Sequence, residues 1–152
     1  MALGSHLLSA GSYRAAAAKT FTRTPRSSEV YSEDAFHHVL SIERTRAQLT
    51  NSSFVLLLIR VKTGFGSSVE ISPAVAAALF SGLASCLREV DFFGWHREGR
   101  IAGAVLAQGP VRPSTETVPR IVDRVTQVLS RRLPAAGQRL DVRAVRLDRR
   151  VV

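Results

Sequence analysis

Arg88 and Asp91, three apart in the stretch REVDFFGWHREGRI (88–101), pose the question whether this is a packed hairpin or a site for a nucleotide. An Arg guanidinium offers a fork of N–H donors to phosphate oxygens or to the Hoogsteen edge of guanine. An Asp carboxylate accepts from guanine N–H groups. The same pair also suits a purely structural part, with Arg88 at the C-terminal end of a helix and paired locally with Asp91. Trp95 and His96 combine a flat ring with a proton carrier. No acid, Ser or Cys stands at a spacing that completes a catalytic set with them, so Trp95 reads as core or interface. His37 and His38 are adjacent, whereas metal ligands on a helix fall at i, i+3 or i+4; they read as surface or partner-facing. Cys86 is the single cysteine, so neither an intrachain disulfide nor a cysteine-rich zinc site can form. It falls in an apolar helical stretch, as a buried structural thiol does.

These residues need elements to hold them. Ser32 is a good N-cap, with Glu33 and Asp34 at the positive end of a helix. Ala35, Phe36, Val39, Leu40 and Ile42 recur at helical spacing, which predicts a helix to about Gln48, broken by Asn51-Ser52-Ser53. Phe54–Val61 (FVLLLIRV) is a short branched apolar run, the pattern of a strand buried on both faces. A Gly/Ser-rich loop spans Thr63–Ser68. Ser72-Pro73 opens a second helix, whose stripe of Val75, Leu79, Leu83, Cys86, Leu87 and Val90 predicts an end close to Val90. Asp91–Arg97 and Arg100–Ala107 read as strands joined by the turn signal Glu98-Gly99. Phe93 and Trp95 share one face of the first. Ile101, Gly103 and Val105 share a face of the second, where small residues allow a helix to pack closely. After a loop with two prolines, Thr115–Leu133 forms a third helix, with Ile121, Val122, Val125, Val128, Leu129 and Leu133 along one side. Leu140–Leu147 alternates as a half-exposed final strand.

The predicted fold class is α+β: a ferredoxin-like βαββαβ sheet preceded by one helix, with helices packed on the sheet. Two crossovers around a central hairpin give this arrangement. It hosts many functions, so the fold alone names none.

On these residues the chain resembles a GGDEF-type domain of the nucleotide-cyclase fold. Glu43-Arg44-Thr45-Arg46 resembles the E-R-x-R-like end of that family's first helix, and Phe54–Val61 resembles its buried strand. Arg88-Glu89-Val90-Asp91 matches an R-x-x-D at the end of the next long helix, and Phe92–His96 match the five-residue spacer that follows. Arg97, Glu98, Gly99, Arg100 and Ile101 then fall where the G-G-D-E-F signature lies, and Ala102–Leu106 resembles the apolar strand after it. The resemblance covers about residues 35–148 and rests on pattern and spacing. It implies a secondary site for cyclic di-GMP at Arg88 and Asp91.

The departures bear on activity. Two-metal phosphoryl chemistry needs carboxylates converging on cations and triphosphate. The family draws one from the end of the first strand, where this chain has Leu58-Ile59-Arg60-Val61-Lys62, and one from the hairpin, where it has Gly99 and Arg100. Arg97 and Glu98 replace the paired glycines that admit a nucleotide to the backbone. The family's guanine-contacting Asn-Asp and Gly-His-x-x-Gly-Asp segment has no counterpart in Thr63–Ile71. Its final helix, with an Ala-Leu-Tyr pattern, has none before Val152. The resemblance therefore implies a degenerate signature hairpin with no catalytic residue, no metal ligand, no cofactor and no diguanylate cyclase activity.

Composition bounds the remainder. The chain has 152 residues, of which 45% are hydrophobic, enough for one domain with a core. Residues 1–30 are small, polar and aperiodic and read as a disordered basic arm, leaving 31–150 as a single domain. Net charge is +9, and Lys19 and Lys62 are the only lysines among 21 basic residues. The charge sits at the two ends, since residues 31–111 balance seven basic against seven acidic residues. Basic ends suit nucleic acid, an anionic membrane surface or an acidic partner, or simply a solvated surface. Apolar runs such as Val55–Ile59 and Ala74–Phe80 fall far short of the ~20 residues that span a bilayer. The N-terminus lacks the charged start and apolar segment of a secretory signal, so a cytoplasmic location is expected.

The leading reading is a silent regulatory or protein-interaction module in bacterial signalling. It expects a protein partner or a homodimer, and cyclic di-GMP as the ligand to test. The alternative is a basic ferredoxin-like nucleic-acid-binding protein. Against it, RNA-binding sheets carry aromatics on exposed central strands, and the first strand here offers aliphatics, Arg60 and Lys62. An enzyme of another type lacks any visible convergent acid/base set.

Overall fold

The computed structural model describes residues 30–109, 117–133 and 138–147. Helix α1 spans Glu33–Thr50. The Ser32 hydroxyl accepts from the Ala35 amide at 3.3 Å, and Glu33 and Asp34 face the helix's free N–H groups. Asn51 ends it in the left-handed region at φ 54°, which Asn tolerates. Strand β1 follows at Ser53–Lys62, then the two-residue β2 (Ser68–Val69), which turns the predicted Gly/Ser loop into a small hairpin through Val61↔Val69 and Lys62↔Ser68. Helix α2 spans Pro73–Cys86 with Ser72 as its N-cap. Strands β3 (Phe92–Arg97) and β4 (Ile101–Gly109), helix α3 (Thr117–Ser130) and strand β5 (Arg139–Leu147) complete the described chain.

The main sheet runs β5-β1-β4-β3, every neighbour antiparallel. Helix α2 carries the chain from β1 past β4 to β3, and α3 carries it from β4 over β1 to β5. That is the predicted βαββαβ topology. Strand parity then sorts the side chains. Val55, Leu57, Ile59 and Val61 of β1 join Leu79, Leu83, Val125 and Leu129 in a core beneath α2 and α3. Phe54 and Leu56 point the other way, to a second core with Phe36, Leu40 and Ala47 of α1. So α1 covers the face opposite the two crossover helices, and the sheet lies between helical layers. Gly103 lets it come close: a Cβ there would lie 2.7 Å from Cζ of Phe36.

Two helix ends differ from the periodicity, and the first is that of α3, at Ser130 rather than Leu133. Helix α2 stops at Cys86, not near Val90. Leu87 is already extended at φ −97°, ψ 156°, and Val90 is exposed rather than part of the stripe. A turn follows, closed by the Asp91 amide on the Arg88 carbonyl at 3.0 Å. Asp91 holds this turn from below and so overrides the apolar pattern. The expected arm lies outside the described residues apart from Val30, as does most of the proline loop. No helix among the described residues is long and apolar enough to cross a membrane.

Candidate functional site

Asp91 lies at the base of β3 and is 2% exposed. A buried carboxylate needs partners for its lone pairs. Its Oδ2 accepts from the Arg88 amide at 3.0 Å and from Arg88 Nε at 3.2 Å. Its Oδ1 accepts from Arg88 Nη2 at 3.1 Å and from the Ala107 amide at 3.3 Å. Arg88 Nη2 also donates to the Ala107 carbonyl. The two residues are thus brought together as a bidentate ion pair, but they face each other and β4. Asp91 ties the end of α2 to the start of β3 and to the end of β4. Part of the Arg88 guanidinium stays open, its side chain being 59% exposed.

The hairpin Arg97–Ile101 closes through the Arg100 amide on the Arg97 carbonyl at 2.9 Å, with Gly99 at φ +72°, where a side chain is strained. The turn is held from two sides. The Glu98 amide donates to Glu33 Oε1 at 2.7 Å, which ties it to the first turn of α1. The Ile71 amide donates to the Gly99 carbonyl at 2.7 Å, so the segment leading into α2 crosses the turn with Ile71 buried in the core.

At the end of β1, Ile59 and Val61 are buried under α2 and α3. Arg60 and Lys62 lie on the other face. One acid that reaches this end is Asp141, opposite Arg60 on β5. It is held by Lys62 Nζ at 3.4 Å and Arg143 Nε at 3.2 Å. A divalent cation does not fit these residues. The two places the resemblance points to carry aliphatics, a glycine and cations, and Asp141 is already neutralised. Among the described residues no group of three or more His, Cys, Asp or Glu is placed to hold a metal ion.

Trp95 and His96 fall on opposite faces of β3, which rules out a joint stacking and proton-transfer pair. Trp95 packs edge-on against Phe80, 5.0 Å between centroids, beneath α2. His96 faces α1. Its ring lies 4.7 Å from that of His37, whose Nε2 meets the His96 carbonyl at 2.7 Å. Burial, the neighbouring His37 and the Arg60 charge hold the His96 pKa below its ordinary 6.5, and its buried Nδ1 has no hydrogen-bond partner among the described residues. Cys86 is half-buried, and burial pushes its thiol pKa up, away from reactivity.

Sequence reasoning paired Arg88 with Asp91 and placed the hairpin. It missed Asp141 between two cations, the Glu33 clamp on Glu98 and the His37–His96 contact. The first had a signal, since a lone acid in a basic strand needs a cross-strand partner. The other two join residues far apart in sequence.

No protein-family model and no curated protein matches the chain. Solved structures do resemble it. The GGDEF domain of FimX from Pseudomonas aeruginosa superposes with a TM-score of 0.63 at 12% identity, over 81% of this chain and 78% of that one. A sensory box/GGDEF family protein from Caulobacter crescentus gives 0.60 at 12%, over 77% and 78%. The diguanylate cyclase SiaD from Pseudomonas aeruginosa, solved in complex with its activator SiaC, gives 0.61 at 17%, over 95% of this chain and 57% of that one.

Proposed function

Because this chain has the fold of the GGDEF domains, we propose that it is a catalytically silent module of that fold, which acts by binding a partner rather than by making a cyclic dinucleotide. The observation that carries this is the pair of positions where the fold's chemistry would need acids. Ile59 and Val61 sit wholly in the core, Arg60 and Lys62 flank them, and the hairpin turn presents Gly99 and Arg100. Cations there repel metal and leave the triphosphate without a bridging ion. The Ile71–Gly99 hydrogen bond across the turn supports the same reading.

A protein partner is the ligand class in view. SiaD, which shares the fold, is solved with a protein activator. Cyclic di-GMP remains the small ligand to test, at the exposed part of the Arg88 guanidinium, with Asp91 as the positioning residue that holds it. Purified protein incubated with GTP and Mg²⁺ or Mn²⁺ is expected to yield no cyclic dinucleotide. Formation at an enzyme-like rate overturns the reading. Calorimetric titration with cyclic di-GMP settles the ligand, and binding unchanged in Arg88→Ala removes Arg88 from it.

A further inference from the structure

Among the described residues, β5 pairs only with β1, through Arg139–Leu147 against Lys62–Phe54. Its other edge presents backbone donors and acceptors with no strand of the described residues beside them. The opposite margin of the sheet is treated differently. There Tyr31 bridges β3, its amide donating to the Phe93 carbonyl at 3.2 Å and its carbonyl accepting from the Trp95 amide at 2.9 Å. A nine-residue edge left open is a template for another strand.

The side chains along that edge state what the strand must carry. Register puts Arg139, Asp141, Arg143 and Val145 on the face shared with Arg60 and Lys62. Arg139, Arg143 and Val145 are exposed, while Asp141 is committed to Lys62 and Arg143. Helix α1 stops short of this half of the sheet: its core takes Phe54 and Leu56, with Leu58 only partly buried against it. On the other face Leu140, Val142 and Ala144 are partly buried against the main core. The edge is therefore cationic on one side and apolar on the other.

Charge selects among occupants. A second copy would bring the same net-positive face, with Arg60, Lys62, Arg139 and Arg143 against one Asp141, alongside its own. Residues 1–29 carry Arg14, Lys19, Arg23 and Arg26 against Glu29, again the wrong sign. We infer that β5 is a docking edge for an extended acidic segment of a partner protein, added to the sheet as a further strand. Backbone hydrogen bonds supply affinity, and alternate side chains supply selectivity. Acids belong opposite Arg139 and Arg143, a neutral or basic residue opposite Asp141, and apolar residues opposite Leu140, Val142 and Ala144.

This deepens the reading of the chain as an interaction module and rests on it. Cyclase turnover would overturn that reading without touching the binding measurement, and failure of binding would leave the GTP result standing. The test titrates the full chain into a labelled peptide of the pattern Glu-Val-Thr-Val-Glu-Val-Val, followed by fluorescence anisotropy. Saturable binding is expected, weakened by salt and by about tenfold in Arg143→Glu, a substitution at an exposed side chain. It is also expected to vanish when alternate amides of the peptide are N-methylated, a change that leaves the protein untouched. Equal binding of the N-methylated peptide, or of a scrambled peptide of the same composition, overturns the proposal. So does displacement of the peptide by single-stranded oligothymidine, which would make the surface one for nucleic acid, or a sedimenting dimer that the peptide dissociates.

Discussion

Asp91 spends its carboxylate on the protein. Four hydrogen bonds converge on it from the Arg88 main chain, the Arg88 fork and the Ala107 amide. Removing it strands two partly buried backbone N–H groups, each costing on the order of 1–3 kcal/mol. Removing the Arg88 side chain takes one exposed partner away and leaves the carboxylate with its main-chain donors. Asp91→Ala is therefore expected to destabilise the fold by about 2–4 kcal/mol, and Arg88→Ala by about 1 kcal/mol. Urea unfolding with an unchanged m-value measures both. Equal losses would mean that the ion pair, rather than the main-chain anchor, holds the turn. The R-x-x-D spacing was legible in the sequence. Its orientation was not, because the Ala107 amide that fixes Asp91 arrives from β4, sixteen residues on.

At the scale of elements, caps and turns were read well because their chemistry is local. Ser32, Ser72-Pro73, Asn51 and Glu98-Gly99 all mark boundaries the structure has. The end of α2 was misread because Val90 continues an apolar stripe that a tertiary contact interrupts. The place of α1 was also open in the sequence: its pattern showed an apolar face but not which side of the sheet would receive it. It lands on the face opposite α2 and α3, where His37 meets His96, with Arg60, Arg97 and Glu33 as the charges around the half-buried ring. The folded state holds the His96 pKa below 6.5, so the unfolded chain takes up a proton first as pH falls. Stability is present in full above that value and is lost progressively below it. Melting temperature is expected to drop as pH falls below about 6.5, and His96→Asn is expected to flatten that slope. A parallel decline in both proteins would assign the pH dependence to other groups.

For the whole molecule, the sheet carries two cores of unequal standing. The core under α2 and α3 is built from the βαββαβ unit itself. The second depends on a helix that precedes the unit, with Phe36, Leu40 and Ala47 covering Phe54, Leu56, Phe92, Val105 and Leu147. Helix α1 is also the strap on the hairpin, through Glu33 on the Glu98 amide and His37 on the His96 carbonyl. Without it, five core side chains on one half of the sheet meet water, a contiguous apolar patch of the kind that drives association. Beside that patch lies the basic half formed by β1 and β5, which α1 does not cover. A chain beginning at Ser52 is therefore expected to keep its far-ultraviolet strand signal but to bind a hydrophobic dye and to self-associate beyond the state of the intact chain. Analytical ultracentrifugation with dye fluorescence measures both at once. A monomeric, dye-silent truncation would show that the βαββαβ unit is complete on its own and that α1 is an appendage rather than one of its layers.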